Sequence, residues 1–263
     1  MGPLILRLVG LAALLASPAT AAPQRVASLN LCTDELVLLL ADKAQLVSVT
    51  KLGADARETR LAHRAAGLHR NNGRMESVAG LVPDLVITGG GANRYAAEIA
   101  RRIGTRVVDV PPPTTIAELR RNVRTVAAAL EKPARGETLI AHLDARLGTM
   151  PARQRSAVLL SGGGYTVRAD GLAATLTRYA GLAQQAYPSE RVGLDRLLAA
   201  PPEVIVITRY RAGQASLHQM WLAHPALKRL PASTRIIEID GRSWTCLGPL
   251  VVDDVVALRA RLL

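Results

Sequence analysis

Val82-Pro-Asp-Leu-Val-Ile-Thr88 and Pro201-Pro-Glu-Val-Ile-Val-Ile-Thr208 are one phrase written twice, the second copy a residue longer. In each, proline and an acid end the preceding segment and an unbroken β-branched run follows. Such a run lacks the in-out alternation of a half-exposed strand, so it reads as a strand of a parallel sheet covered on both faces. Further strands read outward from the first copy at 25–29, 46–50 and 106–110, the last stopped by Pro111-Pro112-Pro113. Helices read at 33–41 and 95–103. Thr33 is the expected N-cap of the first, with Asp34 and Glu35 complementing the dipole of its first turn. Around the second copy, strands read at 157–161, 204–208 and 235–239, with helices at 172–180, 194–200 and from 251 onward. Leu139, Leu143 and Leu147 recur at i, i+4 and i+8 between the halves, which predicts helices over 115–130 and 133–147, Pro133 fitting a first turn. The phrase occurs only twice, so the chain forms two similar α/β lobes rather than a solenoid.

Composition agrees with a folded chain. Of 263 residues, 49% are apolar and 21% charged, enough for a substantial core and unlike a disordered segment. The N-terminus reads as a signal peptide over 1–21: Arg7 is its positive region, 8–16 its apolar run, and Ala19-Thr20-Ala21 its cleavage site. That run is shorter than the ~20 residues a bilayer span needs. No cysteine follows the cleavage site, so the expected mature chain starts near Ala22, carries no lipid and works in the periplasm. The formal charge of +12 does not read as a nucleic-acid interface. Only four of the basic residues are lysines, the arginines are scattered, and the chain has no phenylalanine for base stacking. Attraction of anionic ligands or lipid headgroups is the functional reading of that charge.

Residues 25–41 together with Asn72-Gly-Arg-Met-Glu76, the apolar helix expected after it and Pro83-Asp-Leu-Val-Ile87 resemble the periplasmic receptors for iron chelates, haem and vitamin B12. The likeness extends through the central helices to the Trp244-x-x-x-x-Pro249 loop. It implies an α/β fold of two Rossmann-like lobes with parallel sheets, an N-terminal lobe over 22–132 and a C-terminal lobe over 151–263. A single long helix over 133–150 joins them, with the ligand cleft between and only small closing motions. It also implies a role as the substrate-binding component of an ABC importer, capturing a siderophore, haem or cobalamin for an inner-membrane permease dimer. The protein is then a monomeric receptor without catalytic residues, resident metal or cofactor. Glu76 and Asp195 fall where the family docks on permease arginines, Asp195 being a methylene shorter than the usual glutamate.

Ligands of open parallel sheets bind beyond the carboxyl ends of strands. This places Asn30, Cys32, Thr33, Gly90 and Arg94 on one wall of the cleft. Tyr165, Arg209, Tyr210, Arg242, Trp244 and Cys246 line the other. Trp244 and Tyr210 offer flat apolar faces, and Arg94, Arg209, Arg211 and Arg242 a charged wall for anionic groups. The expected pocket is single, shared by Cys32, Trp244 and Cys246, and in the upper part of the usual range of roughly 300–1,000 Å³. The runs Gly89–Gly91 and Gly162–Gly164 lack the lysine of a phosphate loop and read as turns or close approaches to a ligand. Three fates stay open for Cys32 and Cys246: a disulfide across the cleft, contact with the ligand, or free thiols. The five histidines avoid the positions after strands, which argues against a bare-metal receptor. An exported cysteine-dependent enzyme with Cys32 at a helix N-terminus is the rival reading, and a sensory module on the same fold a third. Neither accounts for more of the sequence than a transport receptor does.

Overall fold

The computed structural model describes residues 22–91, 94–102, 104–211 and 216–262. The expected signal peptide lies outside them. Strands β1 (Val26–Ser28), β2 (Leu46–Thr50), β3 (His69–Asn71), β4 (Leu85–Thr88) and β5 (Arg106–Asp109) form one sheet in the order β3-β2-β1-β4-β5. Strands β6 (Arg155–Leu160), β7 (Leu182–Gln184), β8 (Val204–Arg209) and β9 (Arg235–Asp240) form a second, ordered β7-β6-β8-β9. Every pairing in both is parallel. The repeated phrase supplies β4 and β8, each beside the first strand of its sheet. Leu85, Val86 and Ile87 are fully buried, as are Val204, Ile205 and Val206 to within a few per cent. Burial on both faces is what the unbroken apolar run requires, at roughly 1.5–3 kcal/mol for each large side chain.

Helix α1 spans Leu31–Leu40, α2 Arg94–Arg102, α3 Ile116–Ala129 and α4 Pro133–Leu147. In the second half, α5 spans Leu172–Tyr179, α6 Leu194–Ala199, α7 Leu217–Leu222, α8 Arg242–Cys246 and α9 Val251–Leu262. Thr115 caps α3 by accepting from Glu118 N, and Pro133 occupies the first turn of α4. The leucine stripe of α4 turns inward: Ile140, Leu143 and Leu147 are buried and Leu139 partly so. This helix packs on α3 of the first half and on α9 of the second. One apolar cluster therefore runs from Val26 and Leu85 through α4 to Val255 and Leu258.

Three local expectations are corrected. Helix α1 begins two residues earlier than expected, with Asn30 rather than Thr33 as its cap, because the Asn30 side chain already accepts from Cys32 N. Asp34 and Glu35 are not solvated dipole partners but are buried. The segment after Asn72 is two short 3₁₀ turns, Met75–Ser77 and Ala79–Leu81, rather than an α-helix. Strands β3 and β7 and helices α7 and α8 were not read, being three to six residues long with no apolar period.

Helix α4 meets α3 closely at Gly136, where an added Cβ would stand 2.6 Å from Ala127 Cβ. Gly136→Val is therefore expected to destabilise the fold by about 1–3 kcal/mol, as overpacking does. Urea unfolding checks it, and an unchanged midpoint would contradict the close crossing.

Candidate functional site

In the first sheet the strand order reverses between β1 and β4, and in the second between β6 and β8. Loops leaving two such strands diverge to opposite faces and open a crevice between them. At the first crevice stand Asn30, the α1 N-terminus and Gly89–Gly91. A Cβ on Gly89 would sit 2.5 Å from Asn30 Cγ, so glycine there leaves room for the cap. Gly90 has φ +70°, and its N–H donates to Asp109 Oδ1 at 2.9 Å. Thr33 lies inside the first turn, its hydroxyl donating to Asn30 O at 3.0 Å and lying 2.8 Å from Ser28 Oγ.

Three of the concavities at this edge gather the residues expected at the site. A small one of about 80 Å³ gathers Asn30, Cys32, Thr33 and Pro111–Pro113 with Cys246 and Pro249 of the other half. A second, of about 260 Å³, lies in the C-terminal half among Tyr165, Thr166, Tyr210 and Trp244. Another, of about 390 Å³, is walled by Arg57 from the first half and Arg209, Arg211, Glu238, Asp240 and Arg242 from the second. The expectation of one large pocket shared by Cys32, Trp244 and Cys246 is thus corrected. The two cysteines are bonded to each other and close the floor, while Trp244 opens into the neighbouring hollow. Trp244 is also only 9% exposed and joins the core cluster, so it is no broad open face. Its indole Nε1 is buried without a hydrogen-bond partner.

Cys32 and Cys246 form a disulfide with Cα atoms 5.2 Å apart, linking α1 to α8 across 214 residues of sequence. A polar seam continues from it. Arg60 Nη2 bonds both oxygens of Asp254 and donates to Ser243 Oγ at 3.1 Å, and Ser243 also bonds Asp254. Arg211 pairs with the fully buried Glu58, and Arg242 Nη1 donates to Ala56 O at 2.5 Å. Segment 55–60 of the first half is thereby tied to β8, β9, α8 and α9 of the second.

Of the arginines expected to form a free charged wall, Arg209, Arg211 and Arg242 are engaged within the chain. Arg209 pairs with Glu238 at 2.5 Å, Arg242 with Asp240 at 2.6 Å and Arg57 with Asp55 at 2.6 Å. Arg57 holds the Asp55 carboxyl down at about 2, and Arg209 holds Glu238 below the usual range. Burial works against ionising Asp240, but Arg242 and Arg60 outweigh it and keep that carboxyl low. Deeper in the seam the balance reverses. Burial pushes Glu35 up to about 7, despite Thr59 donating to Oε1 at 2.9 Å and despite nearby Arg60. Burial likewise lifts Asp34 to about 7 against hydrogen bonds from Thr50 and Ser28. Glu35 Oε2 has no hydrogen bond and faces Gly248 of the other half.

Asn30, Cys32, Thr33 and Cys246 gather in one concavity, Tyr165, Tyr210 and Trp244 in a second, and Arg209 and Arg242 in a third. Tyr165 is half-exposed and lies under Arg191, whose Cζ is 5.7 Å from the ring centroid. The side chain of Arg94 lies outside the described residues. Glu76 and Asp195 are both exposed, Glu76 in the 3₁₀ turn before β4 and Asp195 in the first turn of α6. Sequence reading missed the run Asp55-Ala-Arg-Glu-Thr-Arg60, whose only signal was dense alternating charge in an unassigned loop. Among the described residues no three of His, Cys, Asp and Glu gather as a metal site, and no helix is long and apolar enough to cross a membrane.

Residues 26–242 match the family described as Periplasmic binding protein, and the chain belongs to it. Solved structures carry the same fold at low identity. The periplasmic haem-binding protein HutB of Vibrio cholerae superposes with a TM-score of 0.72 at 19% identity, covering 91% of this chain and 98% of that one. The haem-binding RhuT of Roseiflexus gives 0.70 at 20% identity, covering 90% and 97%. The vitamin B12-binding protein BtuF of Vibrio cholerae gives 0.62 at 17%, covering 91% and 96%. A search of curated proteins by sequence finds no match.

Two measurements test the seam. Replacing both cysteines by serine removes a crosslink that closes most of the chain, and the expected loss is up to about 5 kcal/mol. A melting temperature indifferent to reductant and to the double substitution would contradict the crosslink. The second concerns pH. The folded chain keeps the Asp34 and Glu35 protons up to about pH 7, whereas the unfolded chain releases them near 3.8 and 4.5. Between those limits the folded state binds more protons, so stability falls as pH rises, by up to about 1.4 kcal/mol per unit for each group. This contribution is full below pH 3.8 and gone above about 7. Urea unfolding at a series of pH values from 5 to 8 is expected to show the fall, and Glu35→Gln to flatten part of it.

Proposed function

We propose that this protein is the substrate-binding component of an ABC importer, capturing an iron chelate (siderophore or haem) or cobalamin for an inner-membrane permease. The reading rests on one observation: a concavity of about 390 Å³ at the strand-end edge takes its walls from both halves of the chain. A receptor that must enclose a ligand and later release it needs such a divided site. Family membership supports the same role. The proposed division is an N-terminal lobe over 22–132, a linking helix over 133–150 and a C-terminal lobe over 151–263, in a monomer exported to the periplasm. Its ligand contacts come from Asn30, Thr33 and Gly90 on one side and Tyr165, Arg209, Tyr210, Arg242 and Trp244 on the other. The enzyme alternative loses its nucleophile, because the Cys32 sulfur is bonded to Cys246. Glu76 and Asp195 are the proposed contacts to permease arginines, orienting the encounter more than adding affinity.

Tryptophan fluorescence provides the direct test. In a Trp221→Phe background the signal belongs to Trp244 alone, and haem, cobalamin or a ferric siderophore is expected to quench it at micromolar concentration. Quenching by none of them would reject the ligand class. Separately, Glu76→Lys with Asp195→Lys is expected to slow association with the cognate permease about 10- to 100-fold. An unchanged rate would remove the docking assignment.

A further inference from the structure

The chain carries a formal charge of +12, and the 390 Å³ concavity is lined by four arginines and two acids, with two further acids, Asp55 and Glu58, paired to those arginines from behind. Each of its four arginines has a carboxylate partner within the chain: Arg57 with Asp55, Arg209 with Glu238, Arg211 with Glu58 and Arg242 with Asp240. The next arginine inward, Arg60, is matched in the same way by Asp254. A guanidinium beside its carboxylate acts on a distant charge only as a dipole, so the pairs offer an incoming anion little attraction. An anion that took a guanidinium for itself would strand the partner. For Glu58, whose side chain is wholly buried, that means an isolated charge out of water.

The same pairs suit a different guest. A guanidinium has five N–H donors and a carboxylate about four acceptor sites, more than one ion pair consumes. Side by side they present donor and acceptor together, which complements an amide or hydroxyl group carrying one of each. Resting on the proposed receptor role, we infer that the concavity selects an uncharged chelate with an amide- or hydroxyl-bearing periphery and discriminates against anionic chelates.

The test compares ligands matched in shape and differing in charge: cyanocobalamin against its tricarboxylate hydrolysis product, and haem dimethyl ester against haem with free propionates. In whichever pair binds, the uncharged member is expected to bind at least about tenfold more tightly. Its affinity is expected to change little between about 0.05 and 0.5 M NaCl, because no net charge is screened. Glu238→Gln, which leaves Arg209 without its carboxylate, is expected to raise affinity for the anionic member about threefold or more. Tighter binding of the anionic member, or a preference that Glu238→Gln leaves unchanged, overturns the inference while the receptor role stands. If no member of either pair, nor a ferric siderophore, binds, the receptor role falls and the inference with it.

Discussion

Parallel strands cannot be joined by a tight turn, and most of this molecule follows from that. Each parallel neighbour needs a crossover, and crossovers cover the sheet faces with helices. The strands so covered are the unbroken apolar runs, Leu85–Thr88 and Val204–Arg209 among them. The same rule sends every strand-to-helix loop to one edge. Asn30, Gly89, Tyr165, Tyr210 and the 240–246 segment therefore meet at that edge although they are far apart in sequence.

A second constraint decides how freely two such sheets move. An open hinge would join the halves through exposed linkers and few side-chain contacts. Here the apolar cluster passes without a break through α4 into α9, and a disulfide ties α1 to α8. Buried ion pairs of Arg60 and Arg211 add contacts that opening would leave unmatched. Breaking one partner of such a pair is costly, about 3–5 kcal/mol where the remaining charge stays buried. The favoured motion is consequently a small adjustment of loops about a fixed seam.

Legibility in the sequence followed the range of the interaction concerned. Strands β4 and β8 and helices α3 and α4 were readable almost to the residue, because a buried strand and a helix stripe declare themselves within a few positions. Strand β3, His-Arg-Asn, was not, since its place at the sheet edge comes from Thr50 and Val49 pairing with it rather than from its own side chains. The cleft was readable as a location, through topology. Its chemistry was not. Arg242 and Asp240 are two residues apart, but Arg211 and Glu58 are separated by most of the chain, and nothing local in either announces the other. A count of charges treated these arginines as available, and only tertiary pairing shows them engaged. The cysteines were undecidable for the same reason, since a bond over 214 residues leaves no local trace.

The seam also departs from the rule that buried polar atoms are satisfied. Glu35 Oε2, Glu58 Oε2 and Trp244 Nε1 are buried without hydrogen bonds, as is Gln154 Oε1 within the second half. Apolar replacements at these positions would remove the penalty of leaving such atoms unpaired, about 1–3 kcal/mol each. Each of the three at the seam nonetheless holds something in the fold. Glu58 matches Arg211 through its other oxygen, so an apolar residue there would strand a guanidinium. Glu35 accepts from Thr59 through Oε1, and the Trp244 ring packs in the core cluster. The unmatched atoms are the remainder of side chains held for those other contacts.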